Sequence, residues 1–547
     1  MKMEIFNRDE YNSRKSINRT PADHGRTLFL PAPKQMPRDL RKNISYFSEV
    51  KIPEGDANLE RAVCRQELIE KASRYSKKIG LEPAGEIQNK PLIVTGHQCQ
   101  FYHGGILIKY LLLQCLAQDS GGTGLNLIID NDLPKKTPLE IPFHSEDGLG
   151  LQQTGFGQID TEKIMEFQPL PTAKEIDLFL QELEKTPTTA TIQKKISQLR
   201  QVVRKAYKRS DNLRDLYTQI NHGMADGLRL RWLELPVSVM SGSDSFLRFA
   251  ASMMKNLHRV RNCYNRALRE FRGKHKICGS LRPVPDLAGE ENEKGRQELP
   301  FWIIEKGKRQ PLYGKFLKER LFLSNGIKNL AEFPIDYLEK QEELNNIFTK
   351  HRIAIRPRAL TLTIFARLFF ADYFIHGIGG AIYDQVTDNF IREFYQCEPP
   401  LFACASATLH LPLGNYPSFE QTREESNKLQ RAQRDWQYNP QIFFEKAKRG
   451  EALEKLIIKR AQAITASDNL RKTRAASSER AKAFKHIREL NQEIAGLIPE
   501  VKQKLQDQQH ALEKQIQEAK IAYHREYFFG LFEPEIFPTL LHVPNQP

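Results

Sequence analysis

Between an apolar segment at 91–94 and an apolar, helix-length run at 106–118 lies the stretch Thr95-Gly96-His97-Gln98-Cys99-Gln100-Phe101-Tyr102-His103-Gly104-Gly105. Its residue types suit the binding of an anion. Glycine at 96, 104 and 105 lets a ligand approach the backbone closely, and a helix starting here would turn free N–H groups toward a phosphate or carboxylate. His97, Gln98 and His103 add side-chain donors. The acids of Asp130-Asn131-Asp132 close the next apolar stretch and could bind a metal, orient a base or hold an amine. A third polar junction is His376-Gly377-Ile378-Gly379-Gly380. Arg356 and Arg358, in IRPRAL, could grip a carboxylate or phosphate with paired hydrogen bonds, or equally close an ion pair at a helix cap or domain interface. One such junction often serves only a turn. Three of them in segments that share a sheet point to an active site.

The surrounding pattern supplies that sheet. PLIVT reads as a short buried strand, GILIKYLLLQCLAQ as a helix and LNLIIDND as a second strand ending in the acids. Strands joined in this way are parallel, with a right-handed crossover. The β-α-β character returns with IAIRP as a strand, TLTIFARLFFADYFIHG as a helix, IGGAIYD as a glycine-rich loop and FACASATLHLP as a strand. The expected fold class is therefore α/β, a Rossmann-like parallel-sheet core interrupted by a mostly helical insertion and followed by a C-terminal helical coiled-coil domain. The expected boundaries are an N-terminal extension at 1–88, the first half of the core at 89–170, the insertion at 171–350, the second half at 351–415, and the coiled-coil domain with its tail at 416–547. Within the insertion, Asp286 and Glu298 occupy a proline-rich loop next to Phe301 and Trp302, in a position to face substrate. In the last domain, Ile487, Leu490, Ile494, Leu497 and Val501 are spaced by three and four, the seam of a short coiled coil. Gly496 and Pro499 end one helix and start another, or kink it.

Length and composition bound the rest. A chain of 547 residues, 40% hydrophobic and 27% charged, suits a soluble protein of two or three domains. With no apolar run long enough to cross a bilayer and no apolar leader, the expected location is cytoplasmic and no membrane partner is expected. Seven cysteines without a C-x-x-C pair fit a reducing compartment and exclude a zinc ribbon. His97, Cys99, His103 and Cys115 are zinc-ligating types, yet they form no paired ligand motif, so no metal is expected. Cys99 and Cys115 read instead as core. The net charge of +15 raises the question of a nucleic-acid partner. Across 441–530, however, 18 Lys/Arg are interleaved with 12 Asp/Glu, the pattern of a solvated helical face, and nucleic acid is not an expected partner.

Gly96, Phe101, His103 and Gly105 look like the first half of the H-x-G-H signature of Rossmann-like nucleotidyltransferases, with Ile106 at the second histidine position and no K-M-S-K-S segment. A closer resemblance is to the bacillithiol-biosynthesis cysteine-adding enzymes, the BshC family. It lies in four places: Thr95-Gly96-His97-Gln98 against a T-G-x-Q strand-loop, Asp130-Asn131-Asp132 against a strand ending in Asp-x-Asp, Arg356-Pro357 followed by a helix and a glycine loop leading to Tyr383, and a C-terminal helical coiled coil. His97 stands where the family usually has glutamine, and Asn131 where it usually has histidine. The resemblance implies a ligase that joins the carboxyl group of cysteine to the amine of a glucosaminyl-malate-like acceptor, with ATP, ADP or a related nucleotide as cofactor. It implies catalytic roles for His103, Asp130 and Asp132, and substrate binding by Thr95, Gly96, His97, Gln98, Arg356 and Tyr383. Gly104, Gly105, Gly377, Gly379 and Gly380 would hold the nucleotide, and the C-terminal helices would form a homodimer. Two other classes stay open: a nucleotide-binding transferase with another substrate, and a non-catalytic basic protein that binds RNA or assembles through its coiled coil.

Overall fold

The computed structural model describes residues 20–52, 55–81, 90–135, 138–277, 284–290, 295–444 and 450–541. The chain divides into two units. One comprises the described residues up to Ile141, Gln152–Leu411 and those from Arg525 on; the other comprises Pro142–Leu151 and Pro412–His524.

The first unit begins with β1 (Thr27–Leu30), α1 (Met36–Phe47) and α2 (Ala57–Lys78). Then come β2 (Leu92–Gln98), α3 (Gly104–Asp119) and β3 (Thr123–Ile129). Helices α4 (Ala173–Lys185), α5 (Ala190–Tyr207) and α6 (Leu213–Ala225) lead to β4 (Leu233–Pro236), α7 (Asp244–Lys255) and α8 (Leu257–His275). Strands β5 (Gln297–Glu305), β6 (Lys308–Leu317), β7 (Arg320–Ser324) and β8 (Asn329–Pro334) follow, then α9 (Gln341–Lys350) and β9 (Ile355–Pro357). The last elements of this unit that matter here are α10 (Ala359–Phe369), β10 (Tyr373–His376), α11 (Ile378–Phe390) and β11 (Phe402–Ala407).

Two sheets result. The first is six-stranded, in the order β1-β11-β10-β2-β3-β4, and is parallel except for β1, which runs antiparallel to β11. Leu92, Ile93, Val94, Leu125 and Leu127 are all fully buried, as strands covered on both faces require. After the edge strand β1, the chain passes to β2 in the interior, moves outward through β3 to β4, and returns to the opposite side of β2 with β10 and β11. The strand order thus reverses between β2 and β10. The second sheet, β8-β7-β6-β5-β9, is antiparallel throughout. An aromatic cluster of Phe246, Phe249, Phe301 and Phe365 packs α7 and α10 against β5, with ring centroids 5.0–6.2 Å apart.

The structure departs from the expected boundaries at four points. Residues 27–30 are an edge strand of the six-stranded sheet, and Cys64, Leu68 and Ala72 of α2 are buried in its core, so the described part of 1–88 is no extension. A four-residue strand is too short to show a period. The region 171–350 is not mostly helical throughout, because between its helices it contributes β4 to the main sheet and four strands to the second. Their alternation is visible in β7, where Leu321 and Leu323 are buried between partly exposed neighbours, but Lys and Arg in β6 obscure it. IAIRP pairs in the second sheet rather than the first. Finally, 361–377 is not one helix: α10 stops at Phe369 and Tyr373–His376 form the strand beside β2. An unbroken apolar run carries no period that separates helix from strand.

The second unit contains α12 (Phe419–Tyr438), α13 (Glu451–Lys472), α14 (Ser477–Gly496) and α15 (Pro499–Ala522). The three-and-four spacing across 487–501 is not one continuous seam. Leu490 and Ile494 are buried on α14, Leu497 is 47% exposed at the break, and Pro499 opens α15, whose Leu505 and Leu512 pack on Leu429 of α12. Among the described residues, no helix is long and apolar enough to cross a membrane.

Candidate active site

In an open parallel sheet, ligands bind outside the carboxyl ends of the strands where the strand order reverses, because the loops on the two sides diverge and leave a crevice. Here β2 and β10 flank that point. Thr95 is fully buried, and its hydroxyl donates to the Ile375 carbonyl oxygen at 2.8 Å, so it ties the two strands together instead of touching a ligand. Gly96 follows; a Cβ there would lie 3.2 Å from the Leu127 carbonyl oxygen, so a side chain would crowd the neighbouring strand. The His97 ring meets Tyr102 edge-on at 5.5 Å and lies 3.4 Å from the Gln100 amide. Burial, together with the nearby charges of Lys109, His103 and Lys135, pushes the His97 pKa well below its ordinary value, which leaves the ring neutral at pH 7.

The pattern reading passed over Lys109. Its ammonium nitrogen donates to the Gly96 carbonyl oxygen at 2.7 Å, and a Cβ built on Gly377 would lie 4.0 Å from its Cδ. Lys109 is therefore placed between the ends of β2 and β10, at the strand-order reversal, and is only 3% exposed. The available signal was a single lysine inside Gly104-Gly105-Ile106-Leu107-Ile108-Lys109-Tyr110-Leu111-Leu112-Leu113. A second residue missed was Asn221 of α6, whose buried amide donates to the Gln100 carbonyl oxygen at 2.9 Å and accepts from the Tyr102 N–H at 3.2 Å. It clamps the loop between His97 and His103.

The junction at α3 does not form the expected open phosphate cradle. His103 caps the helix, and its Nδ1 accepts from the Gly105 N–H at 3.1 Å. Residues from the C-terminal return of the chain fill the space beyond: Phe528 bridges His103, and Arg525 donates to the Ala407 carbonyl oxygen at 3.0 Å. A Cβ on Gly105 would lie 2.6 Å from that guanidinium and 2.8 Å from the Ala407 oxygen; one on Gly104 would lie 3.0 Å from Leu409. Both glycines thus serve close packing. Gly105→Ala is expected to destabilise the protein by about 1–3 kcal/mol through overpacking, measured as a lowered denaturation midpoint.

The glycines at α11 behave differently. Gly377 is the N-cap, Gly379 and Gly380 stand exposed in the first turn, and nothing lies within 4 Å of a Cβ built on Gly379. The expected loop is thus an open helix start, whose first N–H groups have no intrahelical acceptor. Beneath it His376 is buried and bonds Asp384 at 3.0 Å. Tyr383 is not brought to the crevice, for its ring packs on Phe271 of α8 at 5.6 Å.

The three residues after β3 separate sharply. Asp130 is fully buried and already saturated: Arg214 and the Ser238 N–H each donate to it at 2.9 Å, and the Ser238 hydroxyl donates as well. It is a structural anion and not a base free to act on substrate. Asn131 donates to the Pro357 carbonyl oxygen at 2.8 Å. Asp132 is open, its side chain 35% exposed, and it holds Arg309 at 2.7 Å and accepts from the Gln98 amide. Gln98 and Asp132 therefore form one polar group beside the crevice.

Other candidates are committed elsewhere. Arg356 pairs with Glu166 through two parallel bonds of 2.9 and 2.6 Å, which leaves it unavailable for the anion grip expected of it. Arg358 pairs with Glu298 and lies 4.0 Å over the Trp302 ring; Asp286 pairs with Arg272 at 2.7 Å. Burial pushes the thiol pKa of Cys99 well above its ordinary value. Among the described residues, no group of three or more His, Cys, Asp and Glu could hold a metal ion. No family model matches the chain, and no curated protein matches it.

Proposed function

We propose that the chain is a ligase that forms an amide bond between the carboxyl group of cysteine and the amine of a glucosaminyl-malate-like acceptor, on a Rossmann-like core. The observation that carries this reading is the pairing, at one carboxyl edge, of an open helix start favourable to anions with an open carboxylate. Gly377, Gly379 and Gly380 suit the phosphate end of ATP, ADP or a related nucleotide, since the first N–H groups of α11 have no intrahelical acceptor and a Cβ built on Gly379 would meet nothing within 4 Å. When bound, that nucleotide activates the cysteine carboxyl. Asp132, steered by Gln98 and Arg309, suits the amine of the acceptor. His97, neutral at pH 7, and Gln100 present hydrogen-bonding groups between these two ends. Of the catalytic set implied by the family resemblance, Asp132 is the member this reading retains. A cytoplasmic homodimer held by the helices of the second unit, paired as a short coiled coil, completes the proposal.

The low-molecular-weight thiol profile of cells with and without the protein tests it. Loss of a cysteine-containing glycoside thiol from cells lacking the protein is the expected result, and an unchanged profile would overturn the assignment of substrate.

A further inference from the structure

We propose that Lys109 is the catalytic amine of the crevice, taking a proton from the ammonium group of the bound acceptor so that the freed amine can attack. The inference rests on the reading of the site as an amide ligase and deepens it. In the step, one N–H bond of the acceptor breaks and one forms on Lys109 Nζ, and the positive charge moves with the proton. The released lone pair bonds to the cysteine acyl carbon, activated by a nucleoside triphosphate as a mixed anhydride. The phosphate-type leaving group departs with the electron pair of the C–O bond and takes up the second proton, which the nitrogen sheds as the amide forms.

Position carries the inference first. Lys109 lies between two strand ends at the sheet's reversal point, its Nζ on the Gly96 carbonyl oxygen at the end of β2 and its Cδ 4.0 Å from where a Cβ on Gly377, at the start of α11, would stand. Its company carries it second. The flanking residues Ile106, Leu107, Ile108, Tyr110, Leu111, Leu112 and Leu113 are buried and apolar or aromatic, so packing alone would favour another such side chain at 109. Among the described residues, no carboxylate lies within ion-pair distance of Nζ, and its hydrogen-bond acceptor is a backbone carbonyl. A buried lysine kept for stability is normally paired with an acid. The groups facing it are His97 from β2, Cys404 from β11 and the Tyr110 ring 5.9 Å away on α3; His376 of β10 is engaged by Asp384. Burial, opposed in part by Cys404, lowers the Lys109 pKa to about 7, which supplies a neutral amine under ordinary conditions.

The test combines turnover with stability, each followed against pH, in the full-length protein. With cysteine, glucosaminyl-malate and ATP as probes, kcat of the parent is expected to rise through about pH 7 as the amine loses its proton. Lys109→Met and Lys109→Arg are each expected to lower kcat at least about 100-fold. A flat kcat profile between pH 6 and 8, or a Met variant with parental kcat, would overturn the proposal. Stability gives a readout that needs no substrate. Below pH 7 the parent carries a buried charge that the Met variant lacks, so Lys109→Met should melt at a higher temperature at pH 6. The difference should shrink by pH 9, because the folded parent sheds its proton there and the unfolded chain does not. A difference independent of pH would sink the assignment of Lys109 even if the protein turned over none of these probes. Absence of turnover in the parent, with the pH-dependent difference intact, would remove the ligase reading and with it the proton-transfer step, leaving Lys109 as a neutral amine between the ends of β2 and β10.

Discussion

Asp130→Ala is expected to destabilise the protein by about 3–5 kcal/mol, the usual result of removing one partner from a buried ion pair. Asp130 is completely shielded from solvent and receives Arg214, the Ser238 N–H and the Ser238 hydroxyl. Without it, Arg214 keeps Asp215, which it holds at 3.0 Å, and a longer contact of 3.4 Å to the Ser238 hydroxyl, and the Ser238 donors lose their acceptor. Asp132→Ala, two residues further on, should leave stability within about 1 kcal/mol, since its ion pair with Arg309 is partly solvated. It should lose turnover instead. Urea denaturation of both variants measures the contrast. Equal denaturation midpoints would show that the division of these two acids into a structural and a functional group is mistaken.

Arg367→Met is the second large effect. Arg367 is 2% exposed; it reaches Asp384, holds Asp388 at 2.8 Å and donates to the Pro400 carbonyl oxygen. Removing the guanidinium leaves two carboxylates in the interior, and a loss of about 3–5 kcal/mol at pH 7 is expected. The pH dependence has a definite sign. Burial raises the pKa of Asp384, but Arg367 and His376 outweigh it and hold the carboxyl at about 2, below the ordinary carboxylate range. In the parent this contribution is present above about pH 4, the unfolded value, and is lost as pH falls through about 2. In the variant, burial is left without its main counterweight, so the carboxyl titrates higher and the fold is relieved as it protonates. The deficit relative to the parent should therefore narrow between pH 7 and pH 4. Thermal melts across that range decide it; a deficit of constant size would mean that Arg367 acts through packing and not through charge. Because Asp384 bonds His376 directly beneath the glycines of α11, the same variant should also loosen the open helix start.

The central β-α-β unit was legible because its signals are local. Leu92–Gln98, Gly104–Asp119 and Thr123–Ile129 are marked by apolar runs and by glycines at their ends. Which strands neighbour one another was not legible, since pairing Thr27 with Ala407 joins residues from distant parts of the chain and leaves no spacing to read. The same limit governs the site. His97, Gln98, Asp132 and the glycines of α11 were legible as candidates because they sit at strand ends. Asp130 and Arg356 carried the same pattern, yet their partners Arg214 and Glu166 come from elsewhere in the chain, and only the fold reveals that these charges are already satisfied. Gly104 and Gly105 looked like a phosphate loop because glycine serves an approaching ligand and an approaching peptide equally well; here the neighbours are Leu409, Ala407 and Arg525. Lys109 was hidden by its apolar surroundings, although a charge placed where packing favours none is itself a signal.

The central claim is that the carboxyl edge between β2 and β10 is the active site of an amide-forming ligase. It is tested most directly by mass spectrometry of the products formed by purified protein from cysteine, glucosaminyl-malate and ATP, with Asp132→Ala run beside the parent. The account predicts an amide of cysteine with the acceptor, made by the parent and reduced at least about 100-fold in the folded variant. An amide formed equally by both proteins would contradict the site, and the absence of any amide from the parent would contradict the function.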